Sequence, residues 1–248
     1  MKKLILFATA MMALVSCSKK DPEPEVSIDS RTVELKYDKT HQFVLSKGAE
    51  PVTASTFTWK SSDEKVGTVD GNGNFKGRKI GETKITGTST TMGNVESTIT
   101  IVPYTKFLTE PVVQWGADMA TVKSKEKRKL SASLTTADWL VYEPDNASLQ
   151  YVIYIFEAGK LISSVVIFTS TNAVVDESVT FYKERYPNIE ADKDAAYLIN
   201  DENTFGIILS INSSVGWNAE YVPLKKGGKK DAVATEKIQK ALKSLDIH

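Results

Sequence analysis

The sequence predicts two folded units in tandem, an all-β sandwich and then an α+β domain, behind a short apolar amino-terminal segment. Three observations lead there. Between residues 26 and 103, short runs of alternating apolar and polar residues are separated by turn residues, with no helical period. From residue 104 onward, helix-length stripes alternate with strand-like runs. The 248 residues suffice for one large or two modest domains, each able to bury a core.

The amino terminus comes first. Lys2 and Lys3 precede an apolar run from Leu4 to Val15, too short to span a bilayer comfortably. It ends in Leu14-Val15-Ser16-Cys17, which resembles the lipobox of bacterial lipoproteins. That resemblance implies a signal peptide over residues 1–16, removed after Cys17 has received its diacylglycerol. Cys17 then heads the mature chain, anchored by acyl chains such as palmitate, and more than one chain gives stable attachment. Residues 17–25, rich in proline and charge, read as an extended tether. Ser18 follows the cysteine where an aspartate would mark inner-membrane retention, and acidic residues come soon after. Both features resemble lipoproteins of the outer membrane that are displayed at the cell surface.

Within residues 26–103, strands are expected at Val33–Leu35, Gln42–Leu45, Thr56–Trp59, Val66–Val69, Thr83–Thr86 and Ser97–Ile101. Asp70-Gly71-Asn72-Gly73 is a strong turn signal. Trp59, Ser61-Ser62-Asp63, Val66, Thr68-Val69-Asp70, Gly73, Gly81, Thr83 and Ile85-Thr86 resemble, in order, the group 2 bacterial Ig-like domain. The resemblance implies a sandwich with Trp59 between its sheets. It departs at Asp38-Lys39-Thr40, where the family usually carries a glycine before the second strand. Asp70, Asn72 and Asn74 have calcium-loop spacing, but Phe75 and Gly81 occupy the positions that need glycine and glutamate, so a hairpin loop is the reading.

For residues 104–248 the expectation is two helix-plus-three-strand units joined in one antiparallel sheet, with a C-terminal helix. Val112, Trp115, Met119 and Val122 form a helical stripe within Glu110–Lys125. Strands follow at Trp139–Tyr142, Leu149–Phe156 and Leu161–Thr169. A second helix spans Asn172–Tyr186, capped at Asn172 and stopped by Pro187, before strands at Ala196–Ile199, Phe205–Ile211 and Trp217–Val222. Ala234, Ile238, Leu242 and Leu245 then share one face of a last helix over Asp231–Leu245.

Composition narrows the chemistry. Lys+Arg and Asp+Glu are both 31, so no charge bias points to nucleic acid. One cysteine and two histidines, His41 and His248, leave no basis for a transition-metal site, a histidine relay or a disulfide, and no cofactor is implied. No nucleophile elbow, phosphate loop or zinc helix is present, so no catalytic residue is assigned and a non-enzymatic protein is expected. Asp192/Asp194 and Asp201/Glu202 read as solvated turn acids rather than a glycosidic pair. The aromatic residues Tyr151, Tyr154, Trp217 and Tyr221 are the candidate ligand contacts: Tyr151–Phe156 is apolar on both faces, Trp217 and Tyr221 share a face, and an open face could meet a ligand. The Lys225–Lys230 cluster reads as a solvated linker. The expected protein is lipid-anchored through Cys17 and binds a protein or glycan. An envelope assembly subunit facing the periplasm is the alternative, with a hydrolase behind both.

Overall fold

A computed structural model describes residues 24–187, 189–191 and 195–224. Cys17 and the residues around it, the Asp192/Asp194 pair, the lysine cluster at 225–230 and the helix expected over Asp231–Leu245 lie outside the described residues.

The first part is a stack of short strands. They are β1 (Val26–Ile28), β2 (Thr32–Leu35), β3 (Thr40–Gln42), β4 (Leu45–Lys47), β5 (Glu50–Val52), β6 (Thr58–Ser61), β7 (Gly67–Val69), β8 (Asn74–Gly77), β9 (Gly81–Ser89) and β10 (Gly93–Ile101). In β9 and β10 alternate residues are buried, as strands covered on one face require. Sheets form in the orders β2-β10-β9-β6, β3-β8-β7 and β1-β4-β5, with β2 parallel to β10. Phe43, Val66, Phe75, Ile85 and Ile99 fill the space between them. Trp59 stacks on Phe43 at 5.4 Å and donates its Nε1–H to Ala54 O at 2.9 Å. It is a core tryptophan with a satisfied polar handle.

Two local details explain the pattern read from the sequence. The Asp70 carboxylate accepts the backbone N–H groups of Asn72 and Asn74, each at 2.9 Å, so it holds a turn together. A Cβ at Gly67 would come within 2.2 Å of the Phe75 ring, so only glycine fits there. The run Gln42–Leu45 is not one strand. The chain switches sheets at Phe43-Val44, where Asp29 N donates to Val44 O and the Asp29 carboxylate accepts Val44 N–H. Asp38-Lys39 likewise carries the chain from β2 in one sheet to β3 in another, so no first hairpin forms.

The second part is one seven-stranded antiparallel sheet. Helix α1 (Met119–Lys125) precedes β11 (Trp139–Tyr142), β12 (Leu149–Glu157) and β13 (Lys160–Phe168). Helix α2 (Asn172–Lys183) precedes β14 (Ile189–Ala191), β15 (Ala195–Ile199), β16 (Phe205–Asn212) and β17 (Gly216–Pro223). The spatial order is β11-β12-β13-β17-β16-β15-β14.

This corrects the α+β assignment. Strand makes up 47% of the described residues and helix 11%, and α1 and α2 are the only two α-helices among them. The stripe over Glu110–Lys125 is mostly an extended strap, with helix confined to seven residues capped by Asp118. Gly116, at φ +76°, interrupts any helix there. The strap instead bonds to the start of β13: Gly116 N donates to Leu161 O at 3.0 Å, and Leu161 N to Ala117 O at 2.9 Å. Val112 and Trp115 therefore reach the core from a non-helical backbone, and Met119 from the first turn of α1. In α2 the cap is Thr171, not Asn172, and the buried stripe is Val174, Ser178, Phe181 and Tyr182.

The β12–β13 connection is a tight hairpin in which Ala158 and Gly159 both have positive φ, 47° and 72°. That geometry prefers asparagine first and glycine second. Ala158→Asn is expected to raise stability by about 0.5–1 kcal/mol. Urea unfolding checks this, and an unchanged or lower midpoint would count against strain at Ala158.

Candidate functional site

The strap, the end of α2 and the β15–β16 turn converge around one carboxylate, Glu110. Its Oε2 accepts the hydroxyls of Tyr186 at 2.6 Å and Tyr221 at 3.2 Å. Tyr221 in turn shares a hydrogen bond with Tyr182 at 2.9 Å. The Phe205 ring lies 6.2 Å from Tyr186 and 6.1 Å from Tyr221. Burial pushes the Glu110 carboxyl above the usual carboxylate range, against the opposing pull of the two tyrosine hydroxyls and Arg185. Glu110→Gln is thus expected to stabilise the protein at neutral pH. A raised folded-state value means that Glu110's contribution is complete below the unfolded carboxyl range and is lost as pH rises. The advantage of the variant should shrink on acidification, and thermal unfolding across pH 4–8 checks it. A pH-independent difference would remove ionisation as the cause.

Glu110 borders two clefts. The outer one, about 310 Å³, lies where the sandwich meets the sheet. Lys79 and Ile80 come from the sandwich, Arg185 and Tyr186 from the end of α2, and Asp201 and Phe205 from the β15–β16 region. Lys79 is ion-paired with Asp201. Asn200, which is buried, shapes the turn by accepting Thr204 N–H and Phe205 N–H at 2.8 and 2.9 Å. The other cleft, about 250 Å³, lies between the strap and the segment following α1. Its wall is an ion-pair cluster. Arg128 Nη1 meets Glu126 Oε2 at 3.0 Å, Arg128 Nη2 donates to Thr109 O, and Tyr154 OH donates to Glu126. Arg128 Nε approaches Asp145 at 3.2 Å, a charge contact without hydrogen-bond alignment. Burial opposes ionisation of Glu126, but the bonds from Tyr154 and Arg128 outweigh it and hold the carboxyl below its usual range.

A second cluster pins the linker. The Glu184 side chain is fully buried, accepts Tyr104 N–H at 2.6 Å and meets Arg185 Nη1 at 2.6 Å. Its backbone carbonyl accepts Ile80 N–H at 2.7 Å. Thr105 Oγ1 donates to Glu177 at 2.6 Å, and Lys36 Nζ donates to Pro103 O at 2.7 Å. Sandwich, linker and sheet are thus joined through polar contacts with defined geometry.

The four aromatic candidates behave differently from an open platform. Tyr154 and Tyr221 are 0% exposed, lie beneath the strap and α2, and spend their hydroxyls on Glu126 and on Glu110 with Tyr182. Burial and the Glu126 charge push the Tyr154 phenol well above its ordinary value. Trp217 is half-buried on the same face, its Nε1–H donated to Ser178 Oγ at 2.8 Å. Tyr151 packs against the opposite face. Tyr154, Trp217 and Tyr221 lie on the face covered by the strap and α2, with Trp217 and Tyr221 sharing it as their even spacing implies, and Tyr151 lies on the other face. Of the turn acids, Asp201 is half-buried and paired with Lys79, while Glu202 accepts from Asn200 Nδ2 at 2.9 Å. Sequence reasoning misses Glu110, Tyr186, Phe205 and Lys79. Only the adjacency of Glu110 to Pro111 in an apolar stripe hints that this carboxylate is held inside.

Residues 24–101 match the family model described as bacterial Ig-like domain (group 2), so this part of the chain is such a domain. No curated protein matches the chain. Among solved structures, surface layer protein SbsC, domains 4–9, aligns at 14% identity and a TM-score of 0.26. The alignment covers 84% of this chain and 28% of that one, and at this TM-score it carries no argument. Among the described residues, no helix is long and apolar enough to cross a membrane.

Proposed function

We propose that this chain is an exported, non-enzymatic lipoprotein of the cell envelope. Residues 26–103 would serve as an Ig-like spacer, and residues 104–248 as the unit it holds out toward a protein or glycan partner. The observation that carries the reading is the pairing of an Ig-like domain at residues 24–101 with the lipidation sequence ending in Cys17 just upstream. A tethered spacer of this kind positions the domain attached to its far end, and the polar linker contacts around Glu184 support transmission of that position to the sheet.

The junction cleft is the proposed contact region. It is concave, holds the rings of Tyr186 and Phe205, and is lined by Arg185 beside the Lys79–Asp201 pair. Aromatic faces next to carboxylate and guanidinium groups suit a polar ligand with apolar patches, as glycans have.

The test has two arms in intact cells. Feeding an alkyne-bearing palmitate should label the wild type and leave Cys17→Ala unlabelled; equal labelling of both would reject the anchor. Protease applied to unbroken cells should degrade the wild type while sparing periplasmic controls. Full protection until lysis would reject surface display and favour an envelope subunit facing the periplasm. For the cleft, Phe205→Ala should weaken any glycan captured by the wild type on an array about tenfold, as loss of one stacked ring does.

A further inference from the structure

In the sandwich, half of one strand has no neighbour on one side. Strand β10 pairs with β9 along its whole length, but β2 joins its other side only from Thr98 onward. There Thr98 N donates to Arg31 O at 2.9 Å. Backbone groups of alternate residues point the same way, so the N–H and C=O of Asn94 and Glu96 face outward on that same side. Among the described residues, nothing bonds to them there. Across from this open edge runs β1, itself the edge of the sheet β1-β4-β5. A cleft of about 510 Å³ lies between the two, with Val26, Ile28 and Val95 among its lining residues.

We propose that this cleft receives an extended peptide segment of a partner protein, which adds to β10 as a further strand. Extended backbone is the ligand that unpaired donors and acceptors on a strand edge recognise. The stretch Gly93–Ser97 offers about 17 Å of such edge. By contrast, the edge strand β5 carries Pro51, which blunts pairing of this kind.

The side chains specify the occupant. Val26, Ile28 and Val95 suit apolar residues on the inward side of the incoming strand. Ser97 lines the same cleft, is 2% exposed, and its Oγ has no hydrogen-bond partner. A buried hydroxyl calls for a partner, which a serine or threonine opposite it on the new strand supplies. On the outer side, Lys84 and Glu96 neutralise each other. Glu25, just before β1, and Arg31, just before β2, also line the cleft, and neither side chain is paired among the described residues. They suit a segment with an acid toward Arg31 and a base toward Glu25, which fixes its direction. The same edge of a second copy is the poorer match, since Gly93–Thr98 contains no basic residue to meet Glu25.

The test pans a phage-displayed library of random dodecapeptides against the full chain. Enriched sequences should alternate apolar and polar residues and carry an acid. They should bind Glu96→Pro about tenfold more weakly than the wild type, because proline deletes one outward N–H and spares the pairing with β9. Glu96→Ala loses the Lys84 pair but keeps the N–H, so it should bind within about twofold of the wild type. Arg31→Glu should weaken binding about fivefold. In the free protein, amide exchange at Asn94 and Glu96 should be fast, and saturating peptide should slow it by about tenfold. Failure to enrich any peptide, or equal binding to the wild type and to Glu96→Pro or Arg31→Glu, would overturn the proposal. Slow exchange at both amides in the peptide-free monomer would do the same, because the chain itself would then cover the edge. So would a dimer in sedimentation that Glu96→Pro converts to monomer, since a second copy would then be the occupant.

Discussion

Glu184→Ala is expected to lower stability by about 3–5 kcal/mol and to loosen the Ig-like domain from the sheet. The magnitude comes from the contacts of the side chain. Its carboxylate is fully buried, holds Arg185 at 2.6 Å and accepts the Tyr104 backbone N–H at 2.6 Å. Deleting it leaves a largely buried guanidinium without that partner and a linker N–H without an acceptor, and both penalties add. The Arg185 guanidinium also lies 3.6 Å from the centre of the Phe181 ring, so its displacement disturbs the core side of α2. Glu184→Gln keeps an acceptor for Tyr104 and should lose only about 1–2 kcal/mol. Urea unfolding measures the cost, and small-angle scattering measures the geometry. An alanine variant with the wild-type maximum dimension and a loss under about 1 kcal/mol would show that the linker is held by something else.

That linkage is hidden from sequence reasoning for a physical reason. Glu184 and Tyr104 are 80 positions apart, and Lys79 and Asp201 are 122 apart, with no local period connecting them. Local chemistry, in contrast, is legible. Alternation marks β9 and β10, the Asp70 turn follows from its Asp-Gly-Asn-Gly sequence, and Trp59 lies in the core of the sandwich. The strap reads as a helix because burial, rather than backbone shape, produces an apolar pattern. Val112 and Trp115 reach from non-helical backbone the same core that a helix would reach by its period. The aromatic candidates fail on the same distinction. Tyr154 and Tyr221 look like rings that could meet a ligand, but their hydroxyls answer buried carboxylates, and such a partner cannot be read from a strand's own sequence. Glu110 is the converse case. A glutamate at the head of an apolar stripe becomes the shared wall of two clefts because the strap folds inward.

Removing the Arg128 side chain is expected to cost a further 3–5 kcal/mol or so, and here the pH dependence separates charge from packing. Both side chains of the Arg128–Glu126 pair are nearly inaccessible, at 3% and 4%. Arg128→Ala would leave the Glu126 carboxylate with Tyr154 and two backbone N–H groups as its remaining donors. The paired variant Arg128→Met/Glu126→Gln removes both charges while keeping volume, and should recover most of that loss, since desolvating the pair offsets much of its attraction. In the wild type, the Glu126 carboxyl is held below its usual range. Its contribution is therefore full above the unfolded glutamate value, about 4.3, and disappears as pH falls through the lower folded value. Unfolding measured from pH 7 down to 3 should show a steeper acid loss in the wild type than in the paired variant. Parallel pH curves for the two would mean that Arg128 stabilises the strap through its contact with Thr109 O and its packed methylenes, and that the ion pair contributes nothing net.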